Sequence, residues 1–401
     1  MTGPERIVKK LVLIWCLCTL KLVSPPLAAQ VFSDQYFRKN AEKGLEMVYN
    51  CQFEAAHKHF SSLDEAYPAH PAPQFLLGLN RWWQSYISTT DVYHEAIFSH
   101  LKTARKRNQS FKNRSEFALE YAFFQYMILA FQARLHILRK EYFSAANTGR
   151  KALPHLKAGF QYASQSPEFY FSSGIYHYYA ETYPRQHPVV RPFMVFFPDG
   201  DAELGLTELE QAAASRNFTQ TEAMFYLGDI YLDKENQREK ALTIKARLTQ
   251  KYPANLWFKV DYARALILTE EVGSARPILE EIVRDFERQV DYATKRRSSA
   301  NGAMTNLTMM HAYHWLGRVY QTQKMAQSAA DQFVTSLKMA ELAQLTGNPL
   351  LPANHYYIAE IAEQQQRFPD AIKHYEHALQ LPDNESVRKK AKEGLQRLKA
   401  E

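Results

Sequence analysis

Three stretches carry residue types that could do chemistry. "YFSSGIYHYYAETYP" (170–184) sets Ser172, Ser173 and His177 among six aromatics, raw material for nucleophilic catalysis if a hydroxyl and an imidazole meet. "PDGDAELGLTELE" (198–210) places Asp199, Asp201, Glu203 and Glu210 at positions 1, 3, 5 and 12 of a calcium loop. The sixth position, however, is Leu204, with Gly205 one place late, so the sharp turn that coordination requires is lost. The simpler expectation is that Asp199 or Asp201 caps a helix beginning near Ala202. His311 and His314 lie three apart on one helical face with no acidic or cysteine partner at metal-ligand spacing, which suits the wall of a solvent-facing groove better than a zinc site. The chain contains no glycine-rich phosphate loop, no G-x-S-x-G, no H-E-x-x-H and no paired-cysteine motif. Cys51, beside an expected hairpin turn, reads as a small packing residue. The expectation is therefore no catalytic residue, no metal and no cofactor.

The elements that would hold these residues are helices. Glycine is only 14 of 401 residues, alternating β-branched runs are scarce, and Ala, Leu, Glu, Gln, Lys and Arg are plentiful. "MFYLGDIY" (224–231) and "YHWLGRVY" (313–320) share one spacing: a large residue, Leu-Gly three and four positions on, and Tyr three beyond the glycine. From Gly317, twelve residues lead to Ala329 and four more to Phe333. The same steps run from Ala263 to Ala275 and Leu279, from Ala359 to Ala371 and Tyr375, and from Gly44 to Ala56 and Phe60. After Gly228 the step is one residue longer, to Ala241, with Leu248 and Pro253 following. A small residue on the first helix lets the second helix press against it, and a proline stops the second helix.

These five units resemble the tetratricopeptide-repeat superfamily, and the likeness extends from about residue 37 to 380. It implies an all-α superhelical solenoid of antiparallel helix hairpins, each burying its face against its neighbours. Ala133, twelve before Ala145, marks a unit with lengthened helices; "ERQVDYATKRRSSANGAMTNL" (287–307) holds extra length; "ESVRKKAKEGLQRLKAE" reads as a polar capping helix. The aromatic stretch at 170–184 fits as one more first helix, Gly174 being its small residue, split from its partner near Gly205–Ala212 by a proline-rich run. The order of features between about 119 and 285 is also similar to the Iml2-like tetratricopeptide-repeat family, which implies an architecture without a known chemistry.

In such a solenoid the concave wall is built from first helices. The positions that would line it include Phe225 and Asp229; Trp257, Val260 and Arg264; His311, His314 and Arg318; and Tyr356 and Glu360. Aromatics mixed with both charge signs suit an extended peptide or helix. The clamp that some tetratricopeptide repeats use for a carboxylate tail is not expected, because the equivalent positions carry Phe225, Asp229 and Asp261.

The N-terminus bounds the compartment. A basic start (Arg6, Lys9, Lys10), an apolar run from Leu11 to Val23 broken by Lys21, and Ala28-Ala29 read as a signal peptide over 1–29, with an uncleaved anchor as the alternative. Its removal leaves Cys51 as the sole thiol, so no internal disulfide forms. Five Asn-x-Ser/Thr triplets, from Asn108, Asn113, Asn217, Asn306 and Asn384, would suit a eukaryotic secretory route, yet the missing cysteines favour a periplasm or cell envelope. Of the net charge of +7, the leader contributes +3, leaving a mild +4. The basic clusters at 102–114 and 293–299 lie in no recognisable recognition motif, so nucleic acid is not an expected partner. The expected organisation is 1–29 leader, 30–220 irregular repeats, and 221–401 regular array with its cap. The expected function is an exported, non-catalytic scaffold that holds a protein or peptide in its groove, docked to an envelope complex. Rival readings are a metal-binding or hydrolytic site at 170–210 using His177, Asp199 or Asp201, and a membrane-surface protein held by "PFMVFFP" (192–198).

Overall fold

A computed structural model describes residues 30–88, 90–162, 166–186, 188, 191–194, 197–293, 299–381 and 385–400. The leader at 1–29 lies outside the described residues, as do the side chains at 192, 193, 195 and 196 of the aromatic run.

Among the described residues every regular element is a helix, and the helices pair in chain order. Hairpin 1 joins α1 (Gln35–Tyr49) to α2 (Phe53–Ala66), and hairpin 2 joins α3 (Pro71–Ser88) to α4 (His94–Asn108). Hairpin 3 has the expected lengthened pair, α5 (Ala118–Leu138) and α6 (Tyr142–Tyr162). Hairpin 4 is the split one, with α7 (Tyr170–Gln186) and α9 (Ala202–Ala214) separated by the short α8 (Arg191–Met194). Then follow α10 (Gln220–Asp233) with α11 (Arg238–Lys251), α12 (Leu256–Leu268) with α13 (Val272–Ala293), α14 (Ser299–Thr322) with α15 (Ala326–Leu342), and α16 (Leu350–Gln364) with α17 (Phe368–Gln380) as hairpins 5 to 8. Helix α18 (Glu385–Ala400) packs on α17 and α16.

One turn recurs. The N–H groups of Gln52, Glu141, Glu271, Met325 and Arg367 reach back to the carbonyls of Met47, His136, Leu266, Tyr320 and Ala362 at 2.8 to 2.9 Å. The residue before each (Cys51, Lys140, Glu270, Lys324, Gln366) sits at φ between 59° and 68°. This is the Schellman stop, made here without glycine at a cost of about 1–2 kcal/mol for each left-handed residue. The carbonyls of Gln52, Glu141, Glu271, Met325 and Arg367 then accept from Ala56, Ala145, Ala275, Ala329 and Ala371 in the first turns of the second helices. Those alanines are the small positions read from the sequence, and each is buried.

The reason for the small residue on the first helix is visible at two positions. A Cβ at Gly44 would lie 2.2 Å from the Phe60 ring, and one at Gly317 would lie 2.6 Å from Phe333. The aromatic ring of the second helix thus rests on bare backbone, a contact that any side chain would push apart. With this packing repeated along the chain, the described residues form an all-α array of stacked antiparallel helix hairpins, the architecture expected of a tetratricopeptide-repeat solenoid.

The solenoid also closes on itself. Tyr49 on α1 donates its hydroxyl to Glu222 on α10, and Asn255, which caps α12 by accepting from Phe258, donates to the Tyr49 carbonyl at 2.8 Å. The Trp83 ring on α3 stands edge-on to Phe225 (5.4 Å, 71°) and Phe258 (6.2 Å, 83°), and α3 also touches α14. First helices 1 and 2 therefore pack against first helices of hairpins 5 to 7. One buried apolar cluster consequently runs from Val31 to Ala265, across residue 220.

Candidate aromatic and acidic pocket

Phe225 and Asp229 are four apart on α10; Trp257, Val260, Asp261 and Arg264 share a face of α12; His311 and Trp315 are four apart on α14. Spacings of three and four put each set on one side of its helix. The three sides converge on a pocket of about 240 Å³, closed from the opposite wall by Tyr86 of α3 and rimmed by Asn348, Pro349 and Leu350. Six of the ten expected groove residues meet there: Phe225, Asp229, Trp257, Val260, Arg264 and His311. Their setting differs from an open wall, because Phe225 and Val260 are buried and Tyr86 lies edge-on to both Phe225 (5.9 Å) and Trp257 (6.1 Å).

Beneath the pocket lies a charge network centred on Lys245 of α11. This lysine is 1% exposed and occupies the place that Phe60, Phe333 and Tyr375 hold in other hairpins. Its Nζ lies 2.6 Å from Asp229 Oδ1 and also bonds Asp261 Oδ2. Arg264 bonds Asp261 Oδ1 at 3.2 Å and pairs with Asp233. Burial opposes charge on Lys245, yet the two carboxylates outweigh it and hold the ammonium above its ordinary value. Burial likewise opposes ionisation of Asp261, and Lys245 with Arg264 still holds its carboxyl low. His311 is pushed down to about 4, chiefly by burial and further by Arg264, so it is neutral at pH 7.

The other four expected groove residues lie elsewhere. His314 does not face solvent: it is 2% exposed, its Nδ1 is 2.6 Å from Asn354 Oδ1, and Asn354 donates to Ser336, which donates to the Met310 carbonyl. Burial pushes its imidazole down to about 3. The Arg318 guanidinium covers the Tyr357 ring at 4.4 Å. Tyr356 donates to Glu360 at 2.9 Å, and Gln321 donates to the same carboxylate at 2.8 Å, so these two belong to a seam between hairpins 7 and 8.

The serines, histidine and aspartate of 170–210 are built into the fold. The hydroxyls of Ser172 and Ser173 both donate to the Phe169 carbonyl, at 3.0 and 3.1 Å. His177 stacks on Phe160 at 4.5 Å and pairs with Glu208 at 2.9 Å. Asp201 is the cap of α9, accepting from Leu204 N–H at 2.9 Å, while the Asp201 N–H donates to the His177 carbonyl. Cys51 occupies a left-handed turn position, and burial pushes its thiol up to about 12. Among the described residues no group of three or more His, Cys, Asp or Glu is arranged to hold a metal, and no helix is long and apolar enough to cross a membrane.

Sequence reasoning missed Lys245, Tyr86 and Trp315. The signal for Lys245 was present: the extra residue after Gly228 puts an ionisable side chain into a slot held by Phe60, Phe333 and Tyr375 in hairpins 1, 7 and 8 and by Leu279 in hairpin 6. Tyr86 had none, since nothing local says that α3 faces α12.

No family model matches this chain, and no curated protein does. Solved structures that are similar in arrangement include the human IFIT1 dimer with PPP-AAAA, at 12% identity, covering 85% of this chain and 71% of that chain with a TM-score of 0.44. The P58(IPK) TPR domain is 12% identical, covering 90% and 97% with a TM-score of 0.26. Yeast Tom70 is 11% identical, covering 92% and 89% with a TM-score of 0.27. All three scores are below 0.5, and it is the hairpin packing that establishes the fold.

Proposed function

We propose that this protein is a non-catalytic scaffold, exported by its leader to a periplasm or cell envelope, which holds a protein or peptide partner against the first helices of hairpins 5 to 7. The observation that carries the reading is the pocket itself. Side chains of three successive first helices, with Tyr86 of α3 opposite them, converge on unfilled space at 257–264 and 311–315. A stacked-hairpin fold in which Ser172, Ser173 and His177 are engaged in its own packing supports a binding role over a reaction at 170–184.

The test is affinity capture from native envelope with the wild-type chain and with a Trp257→Ala, His311→Ala double variant. Both residues line the pocket without belonging to the Lys245 network, so helix content should be retained, with some fall in melting temperature from the lost contacts of Trp257 with Tyr86 and His311, while recovery of the partner is lost. Equal recovery by the two proteins overturns the groove assignment. N-terminal sequencing of the mature chain tests the leader separately: a start at or near residue 30 supports export with cleavage, and an intact Met1 supports the anchor.

A further inference from the structure

We infer that the pocket between α3, α10, α12 and α14 recognises an ammonium group, supplied by a lysine side chain of a bound peptide; this rests on the groove reading and names what the groove selects.

Charge comes first. Three carboxylates (Asp229, Asp233, Asp261) share two cations (Lys245, Arg264), and His311 adds none. Burial raises the Asp229 carboxyl above its ordinary value, Lys245 opposing and Asp261 adding to the rise; its ionised form, the one a bound cation would stabilise, gives the network one negative charge more than it has cations. Arg264 is engaged by two carboxylates and Lys245 is buried beneath the pocket by two, so neither cation is free to meet an anion. Asp229 differs: only Oδ1 is taken by Lys245, and its side chain is 38% exposed. An incoming cation therefore finds a partly solvated carboxylate oxygen.

The walls fit the same ligand. Tyr86, Phe225, Trp257 and Trp315 surround Asp229, and Tyr86 stands at 84° to Phe225 and 81° to Trp257. Rings meeting at right angles offer faces from more than one side, the arrangement that attracts a cation through the ring quadrupole while its methylene stem packs on carbon. The volume of about 240 Å³ is below the roughly 300 Å³ at which small-molecule sites begin, so a single inserted side chain is the appropriate occupant. The indole N–H of Trp315 is buried without an acceptor among the described residues. A peptide, which brings a carbonyl beside every side chain, supplies one.

The experiment titrates the full chain with Nα-acetyl-lysine methylamide, its trimethylated form, and the neutral isostere Nα-acetyl-norleucine methylamide, following tryptophan fluorescence. Trp257 and Trp315 report directly because they line the site. Saturable quenching by both cationic probes, at least tenfold tighter than any response to the isostere, is expected. Asp229→Asn should weaken it at least tenfold; should that variant melt early, Trp257→Leu, outside the ion network, should give the same loss. An isostere that binds equally, or probes that bind Asp229→Asn as tightly as wild type, overturns the inference. So does a response to phosphatidylcholine vesicles with none to the lysine probes. Partner capture that survives while the lysine probes fail would sink the ammonium inference alone; loss of both would sink the groove reading with it.

Discussion

Hairpins 5 and 7 use the same construction with opposite chemistry at its centre. In hairpin 7 the Phe333 ring lies on Gly317 so closely that a Cβ would come within 2.6 Å. In hairpin 5 the facing residue is Lys245, whose Cγ would sit 3.4 Å from a Cβ on Gly228, an ordinary contact. The first hairpin gains stability from close apolar packing. The second spends its central position on an ammonium whose two carboxylates reach the pocket. A repeat can thus keep its backbone geometry while converting one packing slot into an electrostatic support for a binding surface, provided every charge is paired.

The largest expected effect breaks that pairing. Lys245→Ala leaves Asp261 and Asp229 without their shared cation and should cost about 3–5 kcal/mol in urea unfolding. Adding Asp229→Asn and Asp261→Asn to a Lys245→Met chain should recover most of the loss. If Lys245→Ala unfolds at the wild-type midpoint, the ion network contributes nothing and the contrast between the hairpins fails.

Acid should separate the two hairpins next. His314, in the core of hairpin 7, has a folded value near 3 against an ordinary 6.5, so between these values the unfolded chain binds more protons. Its contribution is fully present above pH 6.5 and is lost as pH falls towards 3, at about 1.4 kcal/mol per pH unit. Asp261 is held below its ordinary 3.8, so its contribution survives until pH drops below that value. Melting temperature should therefore decline from about pH 6.5 downward, and His314→Gln should make that decline shallower, His311 still contributing down to about pH 4, whereas Asp261→Asn should leave its slope unchanged.

The smallest effect compares the glycines. Gly317→Ala forces Phe333 to move and should destabilise by about 1–3 kcal/mol. Gly228→Ala meets no such obstacle and should be neutral or gain up to about 1 kcal/mol from helix propensity. Equal thermal shifts for the two variants would remove the distinction drawn between the slots.

The sequence carried the repeat because its evidence is local. The positions of Gly44, Ala56 and Phe60, or of Gly317, Ala329 and Phe333, repeat the same steps, and hairpin contacts lie within one unit. The capping role of Asp201 was legible for the same reason. The turns were partly legible: a stop was expected near Cys51, but its left-handed geometry carries no glycine signal. Less could be read of the site. His311 and His314 look alike in sequence, being three apart on one helix. One lines the pocket and the other is buried against Asn354, forty residues on.

By itself, then, the sequence determined helices, pairs of helices and the faces those pairs would bury, since offsets of three, four, twelve and sixteen residues are set by helix geometry and turn length. Only the tertiary structure decided which faces met. The bond from Tyr49 to Glu222, the edge of Trp83 against Phe225 and the closure of Tyr86 over Trp257 join residues about 140 to 173 positions apart. No local period encodes such distances. They follow from the accumulated rotation of successive hairpins, which brings α1 and α3 round to α10, α12 and α14. That rotation sets α3 against the later first helices and leaves between them an acidic, aromatic pocket above a buried lysine.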